Sequence, residues 1–519
     1  MVFPEIRTLT FNDGVAMENN AFSKLRKELL DLANLSQLSS LLEWDQNVNV
    51  PSGGHRARAD VMAYVAHLRH EKFVAKKFEN LLRTAVESAE NGKLENDESF
   101  IALKTLSDFK KAKKLPTEFV GESARLYGES YQVWVEARAK SDFLLFEPYL
   151  TRIVQAKKQE AEYLGYIKSP YDALMDNFEP GLTTEFASKI FDQLKAFMVP
   201  FVERIGSSRV KIDRGFLYEK YPIKKQSQFV RVVAEKIGFD FHKGRLDVST
   251  HPFCQSLHST DVRLTTRFDE KDFINQALLS VIHEVGHGLY DQGLPEEYFG
   301  TPLGESISLG IHESQSRLWE NQVGRSWSFW VYFYEDLKKS FPSQLEGVSL
   351  SKFYRAINFV KPGLIRVDAD EATYNLHVIL RFEIERDLIE GNIEVAELPD
   401  VWSRKIKEYL DLIVPNDARG VLQDIHWSKG LFGYFPTYIV GNLYAAQFFD
   451  TARKQIRRID SKISNGQFSE LKEWLKNNIH VHGRRYSSEE LLFKATGNKS
   501  TPVYFMDYIK AKYSEIYNL

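Results

Sequence analysis

The sequence predicts a mainly α-helical protein with one small β-sheet, and three observations carry that expectation. Apolar residues recur at helical spacing through most of the 519 residues, with few strong breakers between them. One stretch, 261–268, alternates with a period of two instead. No internal repeat, low-complexity tract or long linker divides the chain. A single domain is therefore expected over 19–519, behind a peripheral extension over 1–18 that shows no periodicity.

Taken in order, Phe22, Leu25, Leu29, Leu32 and Leu35 share one helical face, and Leu38 to Gln46 follows. Val50-Pro-Ser-Gly-Gly54 is a turn signal, and a long amphipathic helix is expected from about Arg56 to Lys77. From about 95 to 165 charged and apolar residues alternate at helical spacing, with Pro116 and Pro148 as breakers. Such charge-rich faces read as solvated helix surfaces. Residues 168–181 read as a structured loop and 184–205 as another helix. In 261–268, Val262, Leu264, Thr266 and Phe268 oppose Asp261, Arg263, Thr265 and Arg267, the pattern of a strand. Its edge is positioned to pair with an extended peptide. Thr301-Pro302 offers an N-cap and first-turn proline for a helix running past Trp319. Further helices fit 351–359, 369–390, 398–412 and most of 440–519, with a capping box at Ser487 and Glu490.

Between the strand and Trp319 lies the most informative segment. Ile274, Leu278, Val281 and Val285 form an apolar helical face, beside a polar stripe of Gln276, Ser280, His283 and His287. Asp272 can cap the start of this helix, and Gly293 and Pro295 mark its end. His283 and His287, four residues apart, can chelate one zinc ion from one helix face. Glu284 stands beside the first histidine, where a carboxylate can meet water at an open metal position. This is the H-E-x-x-H pattern of zinc peptidases. A third protein ligand is needed, and Glu313 on the next helix is the best candidate. His312 competes by chemistry and Glu305 by position.

Composition narrows the function classes. At 43% hydrophobic and 27% charged residues, the chain reads as an ordinary globular protein. A formal charge of −3 gives no electrostatic reason to expect nucleic-acid binding. No window approaches the roughly 20 apolar residues of a membrane span, and no signal peptide is evident. The single Cys254 fits a reducing compartment, so the cytoplasm is the expected address.

Seven further stretches join the zinc motif: Trp44-Asp-Gln46 with Pro51-Ser-Gly-Gly54, His251-Pro-Phe253, Asp261-Val-Arg-Leu-Thr265, His312-Glu-Ser-Gln315, Ile365-Arg-Val-Asp-Ala-Asp370, Gly420-Val-Leu-Gln-Asp-Ile-His-Trp427 and Gly433-Tyr-Phe-Pro-Thr-Tyr438. With these the chain resembles the carboxypeptidase Taq family of zinc metallocarboxypeptidases over roughly residues 20–515. The resemblance implies a zincin-like helical fold, similar to the helical oligopeptidases, with a deep active-site groove roofed by helices from about 20–90. It implies that His283, His287 and Glu313 bind one zinc ion, for which cobalt or manganese can substitute. It implies that Glu284 is the catalytic carboxylate and that Arg366 grips the substrate's terminal carboxylate, a task suited to a forked guanidinium. A homodimer is implied as well.

His251, Arg263, His426 and Tyr434 are expected to line the cleft, where a His or Tyr can donate to a developing oxyanion. An ion pair with Asp368 or Asp370 is the competing role for Arg366. Asp424 is a candidate to orient a ligand imidazole. Arg317 occupies the position four residues after Glu313 where an acidic partner is common, so that partner must come from elsewhere. The expected activity is release of single C-terminal residues from peptides with a free carboxylate. The alternatives are a zinc oligopeptidase or dipeptidyl carboxypeptidase and, outside catalysis, a silent peptide-binding protein.

Overall fold

The computed structural model describes residues 21–519, so the expected extension over 1–18 lies outside the described residues. The architecture is mainly helical, with one three-stranded sheet. Strands β1 (Gly244–Val248), β2 (Cys254–His258) and β3 (Asp261–Thr266) lie in the order β1-β3-β2. β3 runs parallel to β1, with Leu246 opposite Leu264, and antiparallel to β2, with Cys254 opposite Leu264. The strand expected over 261–268 is thus present, but it is the central one. Both its edges are already paired, so the expected pairing of this strand with a substrate peptide is withdrawn.

The sheet exists to support one helix. Val262 and Leu264 are fully buried. Gly288 of the helix Ser280–Gly293 comes so close to Leu264 and Phe239 that an added Cβ would lie 2.7 Å from the Phe239 ring. This motif helix is preceded by a π-helical turn, Ile274–Leu279, where regular winding was expected. Asp272 stands at the start as anticipated: its carboxylate accepts from Asn275 Nδ2 at 2.8 Å and its carbonyl from the Gln276 N–H.

The partner helix differs from expectation at its start. Thr301-Pro302 opens only a single 3-10 turn, Pro302–Gly304. The α-helix proper is Leu309–Arg317, capped by Ser308, whose Oγ accepts from the Ile311 N–H at 3.1 Å. It continues as a second π-helical stretch, Leu318–Gly324. Pro148 breaks nothing and sits inside the helix Phe143–Leu164, while the chain turns before it at Ser141, in the left-handed region (φ 55°). The loop expected over 168–181 contains a short helix, Pro170–Met175, and several helices fill most of 440–519, as expected. The Ser487–Glu490 capping box forms as expected.

One contiguous core runs from Leu126 to Tyr517. The N-terminal helices keep a smaller core of their own, in which Phe22, Leu25 and Leu29 meet Phe78, Leu82 and Phe109, with Leu303 joining from the main body. Helix Ala21–Val48 also packs against β2. Its buried Trp44 meets the guanidinium groups of Arg245 and Arg263, at 4.9 and 4.4 Å. No helix among the described residues is long and apolar enough to cross a membrane.

Candidate active site

The motif helix and its partner cross at glycine. A Cβ on Gly286 would lie 2.5 Å from Ser316 Cα, and one on Gly441, in the helix Pro436–Gln455, 2.7 Å from Glu313 Cγ. These two close approaches press Glu313 towards the histidines. The first N–H groups of the partner helix are satisfied from outside it: Leu309 donates to the Phe178 carbonyl and Gly310 to Glu179 Oε2 at 2.8 Å.

Three donor atoms result. Glu313 Oε2 lies 3.7 Å from His283 Nε2 and 3.4 Å from His287 Nε2, and donor atoms of all three residues fall within 4.8 Å of one another. A tetrahedral ion about 2.1 Å from each donor would need separations of about 3.4 Å, so the set fits a divalent cation with nitrogen and carboxylate ligands. Of the rival ligands, Glu305 points elsewhere and pairs with Arg484 at 2.8 Å. His312 is engaged behind the triangle rather than in it.

The other ring nitrogens are also held. His283 Nδ1 meets Glu320 Oε2 at 2.9 Å, and His287 Nδ1 meets His312 Nδ1 at 2.6 Å. His312 Nε2 in turn meets Asp291 Oδ1 at 3.0 Å. With the His287 Nε2 lone pair directed at the shared point, His287 must donate from Nδ1, which leaves the His312 Nε2–H for Asp291. Arg317 closes the circle, donating to Glu313 at 2.6 Å and to Glu320 at 3.2 Å. The acidic partner missing at position 317 is therefore Glu320, seven residues after Glu313. Asp291 carried a readable signal, being the next member of the 283, 287 stripe at the same spacing.

Electrostatics agree with this geometry. Burial pushes the His287 imidazole down to about 4, with His312 adding to it, so the ring is neutral and able to ligate. Burial alone would raise the Glu320 carboxyl, but Arg317, His283 and Arg325 outweigh it and bring it to about 2. Burial likewise opposes ionisation of Glu313, and Arg317 and the two histidines overcome it. Glu313 and Glu320 together favour positive charge at His283, against its burial. Glu284 is buried beside them with no hydrogen bond to the protein among the described residues. Burial first, then Glu313 and Glu320, lift its carboxyl to about 7.

A second cluster surrounds Arg366, which is buried. Its competing partners Asp368 and Asp370 do not pair with it; its partner is Asp424, which accepts from Nε at 2.9 Å. Asp424 also accepts from Arg381 Nε at 2.6 Å, so it orients two guanidinium groups and no ligand imidazole, contrary to expectation. Two buried cations share one carboxylate, a balance that invites a further anion. Arg366 Nη1 donates to Tyr374 OH at 3.0 Å, and the Tyr374 ring meets the Arg317 guanidinium of the first cluster at 4.4 Å. Tyr434 and Tyr438 lie where both Glu313 and Arg366 act on them. Burial keeps the Tyr434 hydroxyl protonated, up to about 12. His426 is buried and neutral, its Nε2 3.3 Å from Tyr438 OH and its Nδ1 without a partner among the described residues.

The sheet-side candidates sit apart from these two clusters. Arg263 is committed to Asp261 through two hydrogen bonds of 2.9 and 2.8 Å and to Trp44. His251 is exposed on the turn between β1 and β2. A cavity of about 760 Å³ near Pro200, Arg204, Ser208 and Tyr517 contains none of the site residues.

Such a donor triangle, with a free carboxylate beside it and a buried cation across a tyrosine cluster, is the arrangement that a metal-dependent peptidase on a helical scaffold would need. The sequence profile of carboxypeptidase Taq (M32) metallopeptidases matches residues 24–513, and the chain belongs to that family. It is 38% identical over 511 residues to thermostable carboxypeptidase 1 of Thermus thermophilus, covering 96% of this chain and 99% of that protein. It is 36% identical over 504 residues to carboxypeptidase 1 of Bacillus subtilis, covering 97% and 100%. The crystal structure of the M32 carboxypeptidase of Deinococcus radiodurans superposes with a TM-score of 0.93 at 38% identity, covering 96% of this chain and 100% of that one. The protein is a metallocarboxypeptidase, a hydrolytic enzyme for which the family implies a divalent metal, and neither alternative activity is favoured.

Proposed function

We propose that the protein is a zinc-dependent carboxypeptidase that releases single residues from the C-termini of peptides, with His283, His287 and Glu313 holding the ion. The observation that carries this reading is the donor triangle with the unbonded Glu284 carboxylate beside it. Two imidazoles and one carboxylate suit zinc, and cobalt or manganese can substitute in such a set. When bound, the ion supplies the Lewis acidity that acidifies a water and polarises the scissile carbonyl.

The chain's own residues do the rest. Glu284 takes the proton of the attacking water and passes it to the departing amine. Burial, with Glu313 and Glu320 nearby, raises the affinity of its carboxyl for that proton. Tyr434, neutral and close to Glu313, donates to the carbonyl oxygen as negative charge builds on it. Arg366, oriented by Asp424, binds the terminal carboxylate, and that grip sets the cut one residue from the end. His426 supports Tyr438 against Arg366, and His251 stands on the rim. Arg263 serves by holding Trp44, and with it the N-terminal helices over about 20–90, as the roof of the groove. Operation in the cytoplasm, as a homodimer, belongs to the same reading: the lone Cys254 fits a reducing compartment and the family resemblance supports the dimer.

The test uses N-blocked peptides incubated with zinc-loaded protein. Single residues should leave peptides with a free C-terminus and not their amidated counterparts. Internal cleavage, or equal turnover of both, would overturn the reading.

A further inference from the structure

The exposed imidazole of His251 stands among cations. Arg267, Arg138 and Lys429 all act on it, and no carboxylate does. These three are exposed as well, and among the described residues none of them forms an ion pair. Their neighbours elsewhere behave differently: Arg245 pairs with Asp247, Arg263 with Asp261 and Lys111 with Asp176.

The patch is built, not scattered. Arg138 lies over Trp134 at 5.4 Å, Trp134 stacks on Tyr131 at 5.9 Å, and Lys429 lies over Tyr131 at 5.8 Å. Trp134 is pinned in turn, its Nε1 donating to the Leu422 carbonyl at 3.0 Å. This ladder fixes two cations on the helical side. On the sheet side, Arg267 follows β3 directly and donates to Gln276, in the π turn that leads into the motif helix. Lys429 also donates its backbone N–H to the His426 carbonyl at 3.1 Å, and Tyr438 beside His426 lies 5.1 Å from the Arg366 guanidinium. The cations therefore extend from the approach to the motif helix to the Arg366 cluster.

We propose that Arg138, Arg267 and Lys429 with His251 receive acidic side chains from the last few residues of the peptide, so that acid-rich C-terminal segments are preferred substrates. The inference rests on the carboxypeptidase reading above. Arg366 is buried and takes the terminal carboxylate, which leaves these exposed cations for charge carried on side chains. Exposed charges of this kind act mainly on capture and discrimination, and salt screens them.

The experiment uses N-blocked pentapeptides with free C-termini. One Glu is moved through the last four positions, and each peptide is paired with its Gln counterpart. The Glu-to-Gln ratio of kcat/KM is read on zinc-loaded protein at about 0.01 M and 0.5 M sodium chloride, where the screening length falls from about 30 Å to a few Å. The expected ratio at low salt is about five- to tenfold at the best position. It should approach one in high salt and in a double variant, Arg138→Gln with Lys429→Gln. Arg267→Gln should reduce it in part. Because each ratio is taken within one preparation, loss of folded enzyme cancels. A ratio within twofold of one at every position, or one that the variants and salt leave unchanged, would overturn the proposal. Release from none of the peptides would instead overturn the hydrolase reading beneath it.

Discussion

Glu320 accepts from Nδ1 of His283 at 2.9 Å although it lies 37 residues further along the chain, in the π-helical stretch that follows Glu313. That bond fixes the ring so that Nε2 faces the shared point of the donor triangle. Glu320→Ala should weaken zinc binding about 10- to 100-fold, as removal of such supporting partners does. Chelator competition measures it; an unchanged affinity would show that His283 is held by packing alone.

Glu284→Gln keeps the shape of the side chain and removes its capacity to take a proton. Turnover should fall by about 10²–10⁴, with zinc affinity little changed. Metal content and single-turnover hydrolysis, measured on one sample, separate these two effects.

Arg366→Ala should remove discrimination between free and amidated C-termini. It also leaves Asp424 with Arg381 as its one remaining guanidinium partner. The loss should fall mainly on KM for free peptides, about 2–5 kcal/mol in binding. Steady-state kinetics on matched acid and amide peptides give the answer.

Buried Glu385 accepts from Tyr171 OH at 2.6 Å, Trp427 Nε1 at 2.9 Å and the Gly433 N–H at 2.8 Å, and so anchors the loop that carries Tyr434. Burial lifts its carboxyl to about 7 in spite of these donors. A folded-state value above the unfolded one contributes stability that is complete below about pH 4.5 and lost as pH rises through 7. The gap corresponds to about 3 kcal/mol. Urea midpoints of the native chain should therefore decline between pH 5 and 8, and those of Glu385→Gln should decline less. Parallel curves would exclude this group as the source.

Gly286→Ala places a methyl group against Ser316 Cα and the Gln315 carbonyl. Backbone cannot yield as a side-chain tip can, so the two helices must separate. The cost should be about 1–3 kcal/mol of stability together with weaker zinc binding. Thermal unfolding and chelator competition on the same variant test whether the two losses travel together.

The parts of this site that were legible lie close together in sequence and share one period. His283 and His287 declare themselves on a single helix face with Glu284 next to the first of them in sequence, and Glu313 lies on the next helix. Glu320 was not legible, because a π-helical stretch changes the winding after Arg317 and no α-helical template locates its side chain. The role of Asp424 was misread for another reason: its partners Arg366 and Arg381 are 58 and 43 residues away, and only the fold brings them together. The flanking strands went unread because β1 and β2 are only five residues each with no fully buried position, and the Arg245-Leu-Asp-Val248 alternation of β1 is too short to stand out.

The Gly441–Glu313 approach has a consequence for the order of assembly. The carboxylate of the donor triangle is pressed into place by a helix more than a hundred residues downstream, and its own helix is steadied from Phe178 and Glu179, far upstream. A nascent polypeptide that has made only the H-E-x-x-H segment has two nitrogens and no third arm. Ion capture at this triangle would thus be a finishing step, available to a chain whose distant halves have already met, and tight metal retention would report on maturation of the whole molecule.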